Sequence, residues 1–432
     1  MPKITFLGAG SSIFARNVLG DCMLSPALES AEMALYDIDP IRLKQSELLL
    51  KTLSANLGGK AKIVAYDDPR AALANANYVV NAIAVGPYDP TILADFEIPL
   101  KYGLTQTVAD TLGVGGIFRA LRTIPVMLDY ARIMEEVCPN AWLLNYTNPM
   151  ASVTGAILHG SNVKAVGLCH SVQVCAKDLL EPFGINTDNV RARIAGINHQ
   201  AWLLELEKDG VDIYPEIKAK ALARTEKHGD MVRCEIMKTF GYYVTESSTH
   251  AAEYLPYFIK SRYPELMEDF RINTGMYKEW GPNREKYWKQ YMQEQLENKQ
   301  QTHVRTFEYA SYIMEAIETN RTYEIAGNVL NTGGLIANLP REATVEVPCL
   351  VNANGITPCY VGSLPPQCAA INRTNINTQL LTIEAALTGK REHVYHAALL
   401  DPHTSAELSI ADITSMVDEL LEAHKEWLPV FK

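Results

Sequence analysis

The stretch KITFLGAGSS, residues 3–12, decides the fold. KITFL is a β-branched and aromatic run of strand type that ends on Gly8. Behind it, SIFARNVLGDCML carries apolar residues at helical spacing, and Ser11 or Ser12 is placed to cap that helix. A second apolar run, EMALYDID (32–39), ends in acid. Strand, glycine turn, helix, strand and acid is the order of a βαβ nucleotide-binding unit. In such a unit Gly8 allows the tight turn and Gly10 lets the backbone approach a pyrophosphate. Ser11 and Ser12 open the helix whose N–H groups face the negative charge, and Asp37 accepts hydrogen bonds from ribose hydroxyls. A carboxylate at position 37 disfavours a 2′-phosphate, so NAD is expected rather than NADP. The third glycine of the GxGxxG fingerprint is Ile13, which leaves a nucleotide-free glycine turn as the plain alternative.

Working outward, NYVVNAIAVG (77–86), AWLLNYTNP (141–149) and VKAVGLCH (163–170) read as further strands, the first a nearly unbroken apolar run suited to a sheet covered on both faces. Between them RALRTIPVMLDYARIMEEVCP (119–139) is helical. Ligands in doubly wound sheets sit beyond the carboxyl ends of the strands, where Gly86, Asn145, Asn148, Cys169 and His170 all fall. After about residue 195 the alternation fades. INHQAWLLELEKDG reads as a strand turning at Asp209-Gly210, 215–240 and 284–318 as mainly helical, and VEVPCLVNANGITPCYVGSLP as two strands around Asn354-Gly355. Two amphipathic helices close the chain. The fold class expected is α/β: a Rossmann-like parallel sheet over 1–195 and a mixed α/β domain over 196–432.

At 432 residues with 47% apolar and 21% charged residues, the chain has the composition of an ordinary globular protein with room for two domains. A net charge of −11 without Lys/Arg clusters excludes a nucleic-acid partner. No run is apolar enough to cross a bilayer, and MPKITFLGAG reads as a strand rather than a signal peptide. The eight cysteines form no CxxC pair, so a reduced, cytoplasmic setting is expected.

Several residues are candidates for chemistry. Cys169 and His199 offer a thiolate and an imidazole, donors that suit Mn²⁺, Co²⁺ or Ni²⁺, although a pair this far apart is a poor metal signature and reads more readily as buried core. GYYVTESSTHAAEYLPYF (241–258) is dense in polar groups between aromatics. Glu246, Ser247, Ser248, His250, Glu253 and Tyr254 line a pocket there, or else a surface loop enters a helix capped by Ser247 or Ser248. ADTLGVGGIFRALRTIP (109–125) is a glycine-rich turn before an arginine-bearing helix, either a substrate-ordering turn or a plain loop. No GxSxG, P-loop or HExxH occurs.

Together ITFLGAGS, ALYDID, ADTLGVGGIFRALRTIP, LLNYTNPM, GLCHSVQ, GINHQAW, EYLPYF and GGLIANLPREATVEVPCLV resemble the family 4 glycoside hydrolases across nearly the whole chain. These are NAD-dependent glycosidases, related in fold to lactate and malate dehydrogenases and set apart from two-carboxylate glycosidases. The CHS triplet looks like the α-galactosidase (melibiase) branch. The resemblance implies a homodimer or homotetramer and a divalent ion, usually Mn²⁺, held by Cys169 and His199. It also implies substrate contacts from Asn148, Asp110 and Arg284, with Tyr254 as base and His170 as acid; His250 and Glu253 are rivals for proton transfer. The implied chemistry is redox-neutral: oxidation at sugar C3, loss of the C2 proton, elimination of the leaving group, addition of water, and return of the hydride. Tyrosine titrates near 10 unperturbed, so the base role needs a cation nearby. AVGPYDPTILADFE lacks the arginine expected beside a sugar phosphate, which favours an unphosphorylated substrate. Arg119, Arg122 and Arg284 keep an α-galacturonide open. A hydroxy-acid dehydrogenase is the rival from another class, distinguishable by net NADH release.

Overall fold

The computed structural model describes residues 1–432. The N-terminal half lays down β1 (Lys3–Leu7), α1 (Ser12–Leu24), β2 (Glu32–Tyr36), α2 (Pro40–Asn56), β3 (Lys62–Tyr66), α3 (Pro69–Leu73) and β4 (Tyr78–Asn81). It continues with α4 (Leu93–Lys101), α5 (Gly113–Val137), β5 (Trp142–Asn145), α6 (Met150–Gly160), β6 (Lys164–Gly167) and α7 (Ser171–Leu180). The six strands pair in parallel in the order 3-2-1-4-5-6, the dinucleotide-fold order with its switch point between β1 and β4. β1 and β4 are almost wholly buried, which suits their mainly apolar sequences, KITFL and YVVN.

The second half extends the same sheet with antiparallel strands: β7 (Val190–Ile197), β8 (Gln200–Lys208), β9 (Val211–Asp212), β10 (Tyr243–Val244), β11 (Tyr323–Leu330), β12 (Thr344–Asn352) and β13 (Gly355–Pro358). β11 joins β6 through Asn328 opposite Gly167, and β12 joins β7 through Glu346 opposite Gly196. A single core cluster therefore runs from Phe6 and Val166 to Trp202, Tyr254 and Val347. No helix is long and apolar enough to cross a membrane.

Three sequence expectations change. The strand expected over 77–86 stops at Asn81, because the chain beyond it leaves the sheet to turn over the ligand edge. Strands β3, β7 and β11 went unread: KIVAY is only half-covered, VRARIAGI alternates charges at its exposed end, and YEIAGNVL follows directly on a helix. The helical expectations over 215–240 and 284–318 are each broken, giving Tyr214–Leu222 and Met231–Phe240, then Tyr277–Glu297 and Tyr309–Thr319.

Candidate active site

At the dinucleotide turn, Gly8 takes φ +86, and a side chain there would meet the Ala82 carbonyl at 2.7 Å. Gly8 and Ala9 donate their N–H groups to the Tyr36 carbonyl, which ties the turn to β2. Gly10 is needed for a reason the motif did not give. Its N–H donates to Asp37 Oδ2 at 2.7 Å, and an added Cβ would collide with that carboxylate. The turn and Asp37 are thus one preformed unit. Neither serine side chain caps α1, contrary to expectation. The Ser12 hydroxyl is buried against Ser46 at 2.7 Å, whereas Ser11 is exposed. The helix Tyr277–Glu297 lies across this turn, with Arg42 stacked on Trp288 and paired with Glu285.

Beyond the carboxyl ends of β5 and β6 the chain brings distant segments together. Cys169 follows β6 by two residues, and His199 sits in the two-residue turn between β7 and β8. One ligand atom each from Cys169, His199 and Glu246 falls within 4.8 Å of the others. His199 Nε2 stands 3.4 Å from Glu246 Oε2. Burial opposes the charge on His199, but Cys169 and Glu246 outweigh it and lift the imidazole to about 10. Burial would raise Glu246, yet His199 and His250 hold it at about 2. Loading a cation here therefore has to displace a proton from His199.

The far side of His199 has its own order. Its Nδ1 lies 2.9 Å from His250 Nε2, and His250 Nδ1 lies 3.1 Å from Glu253 Oε2. With His250 Nδ1–H donating to Glu253 and His199 Nδ1–H donating to His250, the His199 Nε2 lone pair is left facing Cys169 and Glu246. Glu253 also accepts the backbone N–H groups of Thr107, Val108 and Ala109, so it shapes the loop that delivers Asp110 and Thr111. Thr111 Oγ1 sits 2.8 Å from His250 Nε2 and 3.0 Å from Tyr254 OH. Burial pushes the Tyr254 phenol well above its usual range, and only the Thr111 hydrogen bond opposes this within its immediate contacts.

Asn148 Nδ2 donates to Asp110 Oδ2 at 3.1 Å, and Asp110 Oδ1 is buried with no hydrogen-bond partner. His170 is half-exposed beside Tyr146, with Nε2 2.7 Å from Glu308 Oε2. That hydrogen bond raises its pKa against the opposing effect of burial. Arg284 stands on the exposed rim over the Trp280 ring, with no hydrogen bond to the cluster. Arg122 is withdrawn from the substrate candidates, because its guanidinium is buried in a two-pronged pair with Asp95 beside His424. The 248–254 segment is not the surface loop of the plainer reading: Ser248, His250, Glu253 and Tyr254 are all buried. Ser248 takes the Arg233 N–H and bonds to Asp230, and neither it nor Ser247 caps the short helix.

Sequence reasoning overlooked Thr111 and Glu308. It singled out Glu246 without placing it beside the Cys–His pair. A signal for Glu246 exists only in the backbone. Of eight non-glycine residues with positive φ, three surround this site: Ala109 (φ 48), His199 (φ 62) and Glu246 (φ 74). Such conformations cost about 1–3 kcal/mol each and gather where geometry is over-determined.

A Rossmann-type sheet whose ligand edge carries a Cys–His–carboxylate cluster beside a buried tyrosine is the arrangement of a dinucleotide-fold enzyme with a metal-type centre. The chain belongs to the family 4 glycosyl hydrolases: that family's profile matches residues 3–185, and the profile of its C-terminal domain matches 194–404. It is 58% identical to an alpha-galactosidase of Bacillus subtilis (strain 168), over the full length of both chains. Its fold matches a 6-phospho-alpha-glucosidase from gut microorganisms solved with NAD and Mn²⁺, at a TM-score of 0.84 and 20% identity, covering all of both chains. A lactate dehydrogenase of Cryptosporidium parvum matches at a TM-score of 0.53 and 13% identity, over 89% of this chain and 98% of that one. That likeness is one of fold alone. The expected kinship of architecture holds, and the hydroxy-acid dehydrogenase reading gives way to the glycosidase one.

Proposed function

We propose that this glycosidase hydrolyses α-galactosides of the melibiose type, with NAD and Mn²⁺ or another divalent transition ion as cofactors, by redox-neutral elimination and addition. The observation that carries this reading is the placement of Tyr254, through Thr111, directly beside the Cys169–His199 pair at the ligand edge of the dinucleotide sheet. The 58% identical alpha-galactosidase supports the choice of sugar.

The residues present fit both cofactors. Gly8, Gly10, Ser11, the Ser12 backbone and Asp37 would hold the NAD end, and Cys169 and His199 would hold the ion. When bound, NAD supplies a reversible hydride acceptor and the ion a Lewis acid for sugar oxygens. The rest falls to the chain. Asn148 and Asp110, already bonded to each other, present a donor and an orphaned acceptor to sugar hydroxyls. As phenolate, a form that burial disfavours and that a cation held at Cys169 and His199 would favour, Tyr254 would take the C2 proton and become the neutral phenol, its oxygen held by the Thr111 hydroxyl. His170, steadied by Glu308, gives a proton to the departing glycosidic oxygen. Glu253 is engaged by three backbone N–H groups and His250, which makes it a positioning residue rather than a proton carrier. Arg119 and Arg284, neither in an ion pair, are the groups that would meet a uronate.

We further propose a dinucleotide-binding part over 1–195 and a catalytic part over 196–432, in a cytoplasmic homodimer or homotetramer. The eight unpaired cysteines support a reducing setting. The test of function is cleavage of p-nitrophenyl α-galactoside with NAD⁺, Mn²⁺ and thiol reductant, omitting each in turn and running the α-galacturonide in parallel. Activity should collapse without NAD⁺ or Mn²⁺, with no net NADH formed. Cleavage indifferent to both, or confined to the galacturonide, would overturn the assignment.

A further inference from the structure

Resting on the reading that Cys169 and His199 bind a divalent ion, the geometry points to Glu246 as the third protein ligand, through Oε2. We infer that the ion sits on a thiolate–imidazole–carboxylate face.

The donor spacing is the first argument. Ligands about 2.0–2.3 Å from one ion stand roughly 3 Å apart when adjacent, and His199 Nε2 lies 3.4 Å from Glu246 Oε2. All three donors fall within 4.8 Å of one another, so closing on an ion needs only small side-chain movement.

The second argument is what Glu246 lacks. Its side chain is about three-quarters covered, with 23% exposure, yet it has no Lys or Arg partner. Oε1 takes the Ser247 N–H, which leaves Oε2 turned towards His199. Arg233, the guanidinium acting on it from the next layer, is already committed to Asp230 and Asp178. The other ionisable groups acting on Glu246 and its partner His199 are Cys169, Asp110, Glu346 and His250, none of them a Lys or Arg. Its one cationic neighbour within ion-pair reach, His199, has to give up a proton to serve as a ligand, and a carboxylate removed from water is then left without a matched cation, which is costly. An ion with two positive charges balances one thiolate and one carboxylate.

Backbone shape is the third. Glu246 holds φ +74, a left-handed conformation that a long side chain adopts at a cost. Relaxing it would swing the carboxylate away from the Cys169–His199 pair. The hard oxygen would also make the site a better host for Mn²⁺ than a thiolate and an imidazole alone.

The test is a Mn²⁺ titration of full-length, NAD-saturated protein without substrate, reading unbound Mn²⁺ by electron paramagnetic resonance. Glu246→Gln should bind Mn²⁺ at least about tenfold more weakly than the native chain. Glu246→Asp, whose shorter arm withdraws the oxygen, should fall between them. NAD binding, read by tryptophan quenching, checks the fold. If the glutamine variant loses NAD binding, the aspartate variant decides. Mn²⁺ affinity within twofold of native in the deciding variant would overturn the inference and leave Glu246 as a sugar contact or base. Native protein and Cys169→Ser serve as references. If the native chain binds no Mn²⁺, or the serine variant binds it undiminished, the Cys169–His199 reading has failed instead.

Discussion

Gly8, Gly10 and Asp37 stand within the first βαβ unit, held by bonds between a strand end and its parallel neighbour. Thr111, Cys169, His199 and the Glu246–Tyr254 stretch come from four separate segments and meet only when the antiparallel strands β7, β8 and β12 have extended the sheet past β6. The first region is a local structure that would form in any chain with this turn. The second is a tertiary construction, held by Glu253 on three amides and by strained backbone at Ala109, His199 and Glu246. The two regions should therefore fail independently.

The largest separation is expected from Cys169→Ala or His199→Ala. Either should lower kcat on p-nitrophenyl α-galactoside by about a thousandfold or more, as loss of a catalytic ion does, while NAD binding stays native. A parallel loss of NAD affinity would show that the regions are coupled. Next, Tyr254→Phe should cost about 10²–10⁴ in kcat, the range for a proton-transfer group, with Mn²⁺ and NAD affinities retained. Unchanged kcat would remove the tyrosine from the base role.

In the opposite direction, Gly10→Ala should weaken NAD about tenfold, a loss of roughly 1.4 kcal/mol, because its Cβ would meet Asp37 at 2.7 Å. Mn²⁺ binding should be untouched, and calorimetric titrations of both ligands would check it.

The smallest effect concerns Glu346, which burial lifts to about 7 beside Asn328. Its folded value exceeds the ordinary 4.5, so the folded chain binds the extra proton and loses stability as pH rises from about 4.5 through 7. Glu346→Gln should gain thermal stability over native at pH 8 and little or none at pH 5. A gap independent of pH would mean that the carboxyl group is not carrying a raised pKa.

How much was legible follows the same division. The dinucleotide unit was readable because its periods, turn and acid lie side by side in sequence, and even there the partner of Gly10 was not foreseen. Cys169 and His199 gained meaning from resemblance, since nothing in their spacing implies that β6 and the β7–β8 turn converge. Thr111 was hidden in a glycine-rich stretch, and Glu308 at a helix start whose partner, His170, lies on another element. Strands such as β7 and β11 escaped because their pairing, not their own pattern, makes them strands.

The most direct test of elimination at this site is hydrolysis of an α-galactoside in D₂O, followed by nuclear magnetic resonance of the galactose released. If Tyr254 abstracts the C2 proton and water adds later, as proposed, solvent deuterium enters at C2 and each product molecule should carry it there. Galactose with its original proton at C2 would contradict an elimination mechanism and assign the cluster to direct displacement.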